Sequence, residues 1–110
     1  MEEYLAKVRL EPFQCESIID AFKSCFLIED SLWIFGSRVN LQARGGDIDL
    51  YIETNVTSVD DVYKRESKFI DLVWQKIGEQ KIDVVLNLLN LQSQKLPIYD
   101  IARNEGVKLV

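Results

Sequence analysis

Hydrophobic residues recur at helical spacing in two long segments of the chain. The first follows Pro12, a residue that favours the first position of a helix. Its apolar positions repeat every three or four residues, which predicts an amphipathic helix with one buried face. The predicted buried positions are Cys15, Ile18, Ile19, Phe22, Cys25 and Phe26.

The second helical segment is predicted to start near Asp60 and Asp61 and to run to Ile77. Acidic residues suit a helix start because they interact favourably with the positive end of the helix dipole, and Gly78 suits its end. The predicted buried stripe consists of Val62, Phe69, Ile70, Val73 and Ile77.

Three other segments have the pattern of β-strands. Residues 31–35 are rich in strand formers and end at Gly36-Ser37, where the sequence predicts a tight turn and a short helix through about Gln42. Residues 47–53 alternate strictly, which places one set of side chains in the core and the other set on the opposite face. Residues 81–86 alternate in the same way. The predicted core residues of these two strands are Ile48, Leu50 and Ile52, then Ile82, Val84 and Leu86; Asp47, Asp49, Tyr51 and Asp83 point the other way.

The end of the chain predicts one more helix and a final strand. Pro97 opens the helix, Gly106 closes it, and residues 107–110 add an edge strand. Together the elements predict an α+β fold, with a mixed sheet, helices on one of its faces and an open acidic face. We expect residues 1–110 to form a single domain.

Composition and charge narrow the possible functions. The chain has 110 residues, is 47% hydrophobic and has a net charge of −5, as expected for a small globular domain that does not bind nucleic acids in general or an anionic membrane. It contains no histidine, which excludes Ser-His-Asp and Cys-His catalysis and histidine-bound zinc.

Cys15 and Cys25 lie too far apart on one helix for a disulfide. With neither a signal peptide nor a membrane span, a cytoplasmic location is expected.

The acidic face suggests a metal site. Asp47 and Asp49 are two residues apart on one strand, so their side chains converge, and Asp83 joins them if its strand pairs alongside. Three carboxylates with no histidine or cysteine favour magnesium or manganese, and two such ions support phosphoryl or nucleotidyl transfer. Taken alone, an Asp-x-Asp at a strand start is also compatible with a solvated edge.

The Gly-Ser turn suggests a phosphate site. Gly36 permits close approach of the backbone, and Ser37 offers a hydroxyl donor to a polyphosphate. Arg38 and Arg44 either add positive charge near the phosphates or are ordinary surface arginines. A Gly-Ser pair by itself is more often simply a turn.

Together these motifs resemble the signature of polymerase-beta-type nucleotidyltransferases. The signature consists of Gly36-Ser37, nine intervening residues, Asp47-Ile48-Asp49, and Asp83 on a later strand. The short chain and residues 32–38 and 46–50 are most similar to minimal nucleotidyltransferases, the MNT proteins that pair with HEPN-domain toxins. Members of that family often have ten residues in the interval where this chain has nine, so the resemblance does not say whether Arg38 or Arg44 faces the phosphates.

The resemblance implies a role for each residue of the signature. Asp47 and Asp49 would bind both magnesium ions. Asp83 would bind the catalytic metal and help to activate the acceptor hydroxyl, and Gly36 and Ser37 would hold the phosphates of the nucleotide.

The function implied by the resemblance is magnesium-dependent transfer of a nucleoside monophosphate, AMP from ATP, to a tyrosine of a partner HEPN ribonuclease toxin. The chain would then be an antitoxin that inactivates its partner covalently, in a homo- or hetero-oligomer. One alternative is an antitoxin that neutralises the toxin by binding alone. Another is nucleotidyl transfer to a small molecule such as an aminoglycoside, or to an RNA end. Neutralisation that survives the substitution of Asp47 and Asp49 by asparagine would favour binding alone.

Overall fold

Three α-helices and four β-strands make up the fold. The computed structural model describes residues 6–42, 45–91 and 95–110. In chain order the elements are α1 (Pro12–Cys25), β1 (Ser31–Phe35), a 3₁₀ turn (Gly36–Val39), β2 (Ile48–Thr54), α2 (Val59–Ile77), β3 (Ile82–Leu88), α3 (Pro97–Glu105) and β4 (Val107–Lys108).

The four strands form one mixed sheet in the order β3-β2-β1-β4. The central strand β1 runs antiparallel to both β2 and β4, whereas β2 and β3 are parallel. A parallel pair requires a crossover connection, and α2 supplies it. The α+β class and the mixed sheet predicted from the sequence are therefore confirmed.

The main core lies between one face of the sheet and the helices α1 and α2. The rings of Phe22 and Phe26 stack with centroids 5.0 Å apart, and Phe69 of α2 meets both edge-on. The two helical stripes predicted from the sequence point into this core, although Ile19, Ile70 and Ile77 are only partly buried. Cys15 and Cys25 are buried and free, as predicted, and burial raises the pKa of both thiols.

The third helix packs on the opposite face of the sheet. There Ala102 of α3 is buried against Trp33 and Tyr51, and the Tyr99 ring stacks on Tyr51 at 5.7 Å. The sequence predicted helices on one face only, because α3 is short and its apolar residues are few. As a result α3 covers the middle of the acidic face, and the end of that face at Asp83 stays exposed.

Two local predictions differ from the structure. The short helix predicted through about Gln42 is a single 3₁₀ turn that ends at Val39. It stops there because the Asn40 carbonyl accepts a hydrogen bond from the Arg9 side chain and the Asn40 side chain accepts one from the Gln42 amide. Strand β3 runs on to Leu88, and its core-facing residues are only partly buried because it is an edge strand.

A buried carboxylate fixes the end of the sheet opposite the acidic cluster. Asp30 is 3% exposed and accepts hydrogen bonds from the hydroxyl of Thr54 at 2.7 Å and the amide of Asn55 at 2.8 Å. It also accepts one from the Leu27 amide at 3.0 Å. Because these partners satisfy both carboxylate oxygens, Asp30 links the start of β1 to the end of β2 and has a structural role.

None of the helices in the described parts of the chain is both long and apolar enough to cross a lipid bilayer.

We expect the substitution Glu66→Gln to stabilise the protein at neutral pH. Burial raises the pKa of this half-buried carboxyl on α2, so its charged form is less favourable in the folded chain than in the unfolded chain. The penalty is absent below the unfolded pKa of about 4.3 and is complete above the folded pKa. The melting temperature of the variant should therefore exceed that of the wild type at pH 7, and the difference should vanish near pH 4. Equal melting temperatures at both values would contradict this.

Candidate active site

Asp49 and Asp83 lie side by side on the exposed end of the acidic face. They are register partners in the parallel pair of β2 and β3, so their side chains leave the sheet in the same direction. Burial raises the pKa of Asp49, and the nearby charges of Asp83 and Asp47 raise it further. The structure therefore brings two carboxylates together with the charge of a third nearby, and such a group of like charges is ordinarily stabilised by a cation.

Asp47 precedes β2, and its carboxylate is turned toward Lys81. The Lys81 Nζ lies 3.3 Å from Asp47 Oδ2, and both side chains are exposed to solvent. This hydrogen bond, together with the charges of Asp47 and Asp83, raises the pKa of the lysine. Sequence reasoning missed Lys81, because the sequence alone does not show that Lys81 lies beside the residue that precedes Ile48 in the sheet.

The donor set fits a divalent cation, although the site is not preformed. Across the described residues, no group of three acidic or other ligating side chains stands close enough together to hold a metal ion. Asp49 and Asp83 already face one another, however, and Asp47 is exposed and pairs with Lys81. A change of side-chain rotamer at Asp47 would complete an all-oxygen set, which suits magnesium or manganese.

The Gly-Ser turn lies directly against the Asp49 carboxylate. Gly36 has a φ of +74°, a left-handed conformation that glycine adopts without strain. A β-carbon placed on Gly36 would overlap Asp49 Oδ2, and one placed on Gly46 would overlap Ser37 Oγ. The Ser37 hydroxyl also lies 3.4 Å from the Asp47 carbonyl oxygen, to which it donates a long hydrogen bond. The two glycine turns and the aspartates therefore form one close-packed group.

Arg38 and Arg44, the two arginines predicted near the phosphates, differ in what the structure describes of them. Arg38 is partly buried, and its Nη1 donates to the Arg9 carbonyl oxygen at 2.9 Å, which holds the guanidinium against the segment before α1. Its Nε is buried without a hydrogen-bond partner among the described residues. Contact between Arg38 and phosphates stays a prediction. Arg44 lies outside the described residues.

Arg9 was missed from the sequence altogether. Its guanidinium donates to the carbonyl oxygens of Ser37 at 2.9 Å, Asn40 at 2.8 Å and Gly45 at 2.7 Å. The Arg9 amide also donates to the Arg38 carbonyl oxygen at 2.7 Å. Because Arg9 lies in an irregular segment without hydrophobic periodicity, the sequence pattern held no signal for these contacts.

A polar network continues the acidic face beyond Tyr51. The Tyr51 hydroxyl donates to Glu53 Oε2 at 2.8 Å and accepts from Asn87 Nδ2 at 2.9 Å. Arg103 of α3 lies 3.4 Å from the same Glu53 oxygen and 5.3 Å from the centre of the Trp33 ring. Tyr51 is fully buried, which supports a packing role for a residue that strand parity alone placed near the carboxylates.

Comparison with protein-family models adds an independent observation. The model of the nucleotidyltransferase domain matches residues 15–109, a span that holds Gly36, Ser37 and all three aspartates. No individually curated protein matches the chain. A Gly-Ser turn packed against paired aspartates, on a mixed sheet of the expected topology, agrees with this match over nearly the whole chain. The chain belongs to the nucleotidyltransferase domain family, within the polymerase-beta-like superfamily.

Proposed function

We propose that this nucleotidyltransferase moves AMP from ATP, with magnesium, to a tyrosine hydroxyl of a partner HEPN-domain toxin, and thereby acts as an antitoxin. The observation that carries the proposal is the packing of Gly36 against the Asp49 carboxylate, with Asp83 as its register partner. This arrangement places a candidate phosphate turn and two carboxylates in one small volume. Positioning of the phosphates beside metal ligands is a central part of catalysis of transfer at a phosphorus atom.

Each residue of the site has a defined part in the proposed reaction. The Ser37 hydroxyl and the turn at Gly36 hold the phosphates, while Asp47, Asp49 and Asp83 would hold the divalent cations. Bound magnesium would offset the negative charge of the carboxylates and polarise the phosphate oxygens. The acceptor oxygen forms a bond to the α-phosphorus, the bond from the α-phosphorus to the bridging oxygen breaks, and pyrophosphate leaves with that electron pair.

In the proposed reaction Asp83 accepts the proton of the acceptor hydroxyl. Asp83 is exposed on the edge strand β3, so it is open to an incoming hydroxyl, whereas Asp49 is partly buried beneath Gly36. A carboxylate within hydrogen-bond reach of the hydroxyl takes the proton as the new bond forms and then passes it to water. Substitution of Asp83 should therefore lower the rate of transfer more than the affinity for the nucleotide.

The exposure of Asp83 also supports a protein as acceptor. An acceptor that approaches β3 contacts the sheet on one side and is open to solvent on the other, so water is excluded from the site only if the acceptor covers it. A folded partner protein is large enough to cover the site, whereas an aminoglycoside is not. The net charge of −5 disfavours an RNA end.

One observation favours a non-catalytic antitoxin that acts by binding alone. The ion pair between Asp47 and Lys81 neutralises one carboxylate of the cluster without a metal. In that case the acidic face would be a docking surface.

The test is the intact mass of both proteins after co-expression of the chain with a HEPN-domain toxin and incubation with magnesium and each nucleoside triphosphate. The expected result is a mass gain of one AMP on the toxin, with ATP only, that is absent with the double variant Asp47→Asn, Asp49→Asn. No mass gain, together with full neutralisation by the double variant, would reject the transfer in favour of binding.

We expect Ser37→Ala to weaken nucleotide binding without destabilising the fold. Within residues 6–42, 45–91 and 95–110 this hydroxyl makes one hydrogen bond, the long one to the Asp47 carbonyl oxygen, so its removal should cost the folded protein little. Loss of a donor to a charged phosphate should raise the KM for the nucleotide about tenfold. Steady-state kinetics measure the KM for the nucleotide, and a thermal melt measures the stability of the variant. An unchanged KM would remove Ser37 from the phosphate site.

A further inference from the structure

Arg9 joins the two turns that border the candidate phosphate site. The first turn follows β1 and includes Ser37 and Asn40; the second includes Gly45 and Gly46 and leads into β2. One guanidinium donates hydrogen bonds to carbonyl oxygens on both turns, at 2.7 to 2.9 Å. We propose that Arg9 is a positioning residue that sets the shape of the phosphate-binding loop, an inference that rests on the proposed function.

The chemistry of arginine suits this task. The guanidinium is planar, always charged and carries five N–H donors in a fixed fork, so one side chain can bind several carbonyl oxygens at once. Hydrogen bonds from a charged donor are about twice as strong as neutral ones. A lysine at the same position would keep the charge and lose the fork.

The contacts with Arg9 also determine where the loop's amides point. In a trans peptide the C=O and N–H groups point in opposite directions. Because Arg9 draws in the carbonyl oxygens of Ser37 and Gly45, the N–H groups of Arg38 and Gly46 point away from the guanidinium. The second of these amides belongs to Gly46, where an added β-carbon would overlap the Ser37 hydroxyl, and the first belongs to the residue that follows Ser37. Donors fixed in this way bind an anion without an ordering cost at the moment of binding.

Two further observations separate this role from simple packing. Arg9 and Arg38 bind one another's backbone: the Arg9 amide donates to the Arg38 carbonyl oxygen, and Arg38 Nη1 donates to the Arg9 carbonyl oxygen. The segment is anchored independently by Val8 and Leu10, which are 5% and 8% exposed. Arg9 also lies outside residues 15–109, so the match to the family model assigns it nothing.

The test compares Arg9→Met and Arg9→Lys with the matched control Arg65→Met. Arg65 also donates to a backbone carbonyl, that of Cys25 at 2.8 Å, but it lies between α1 and α2 on the other face of the sheet. The probes are magnesium with tripolyphosphate and magnesium with ATP, measured by calorimetry at a temperature where circular dichroism shows every variant folded. Amide hydrogen exchange of residues 36–42 and 45–47 is recorded without ligand.

Both Arg9 variants are expected to bind tripolyphosphate at least about tenfold more weakly and to exchange faster in these two turns. Arg65→Met should change neither quantity. Faster exchange with unchanged binding, or unchanged exchange, would overturn the positioning role. A wild-type protein that binds neither probe would instead refute the proposed function, and the inference would fall with it.

Discussion

Replacing Asp49 by asparagine is expected to lower nucleotidyl transfer by at least about 10³-fold while leaving the fold more stable than the wild type in magnesium-free buffer. The loss of activity follows from removal of a central metal ligand. The gain in stability follows from the raised pKa of Asp49, since burial and two neighbouring carboxylates disfavour its charge and the neutral amide avoids that penalty. The measurements are a single-turnover assay of AMP transfer and thermal melts with and without magnesium.

The matched control is Asp71→Asn, which removes an exposed carboxylate from α2 and leaves the acidic face intact. It should change neither activity nor the response of the melting temperature to magnesium. Magnesium should raise the melting temperature of the wild type and of Asp71→Asn and have little effect on Asp49→Asn, because Asp49→Asn lacks one carboxylate of the donor set. Transfer by Asp49→Asn at the wild-type rate would rule out the assigned metal site.

Substituting Gly36 by alanine is expected to reduce transfer by about 10²-fold or more with only a moderate loss of stability. The added methyl group would overlap the Asp49 carboxylate oxygen. That oxygen ends a flexible side chain, so the carboxylate can rotate away at small energetic cost to the fold, but it then leaves the position that the reaction requires. The positive φ of Gly36 adds about 1–2 kcal/mol of backbone strain.

Comparison with Gly78→Ala separates the effect of displacing the Asp49 carboxylate from the effect of backbone strain. Gly78 also has a positive φ, +89°, and ends α2, and among the described residues an added β-carbon there would meet open space. Both variants should therefore lose stability in chemical denaturation, because alanine is strained at a positive φ, while only Gly36→Ala loses activity. If both variants kept full activity, contact between Gly36 and Asp49 would have no part in catalysis.

Strand periodicity made the central part of the site predictable. Alternation in residues 47–53 and 81–86 placed Asp49 and Asp83 on the same face, and the observed register pairs them directly. Helix ends were predictable for a similar local reason: Gly78 ends α2, and Pro97 opens α3.

Features that depend on contacts between distant segments could not be predicted in this way. The place of α3 over Tyr51 is decided by packing across the sheet, and the spacing of apolar residues within α3 does not say which face of the sheet the helix covers. The contacts of Arg9 span 28 to 36 positions of sequence and join carbonyl groups, which every residue type possesses. The ion pair of Asp47 with Lys81 became evident only once the register of β2 and β3 was known.

The parallel register of β2 and β3 restricts which changes of chain length this protein can tolerate. Residues 55–58 and 78–81 connect the strands to α2, and length changes there leave the pairing of Asp49 with Asp83 unaltered when the strands keep their register. A single residue inserted between Ile82 and Asp83 has the opposite effect, because it reverses the alternation of every later position in β3. Asp83 would then take the place of Val84 and face α1 and α2, and the inserted residue would stand beside Asp49. One inserted codon would thus remove the carboxylate and bury a charge in the core at the same time.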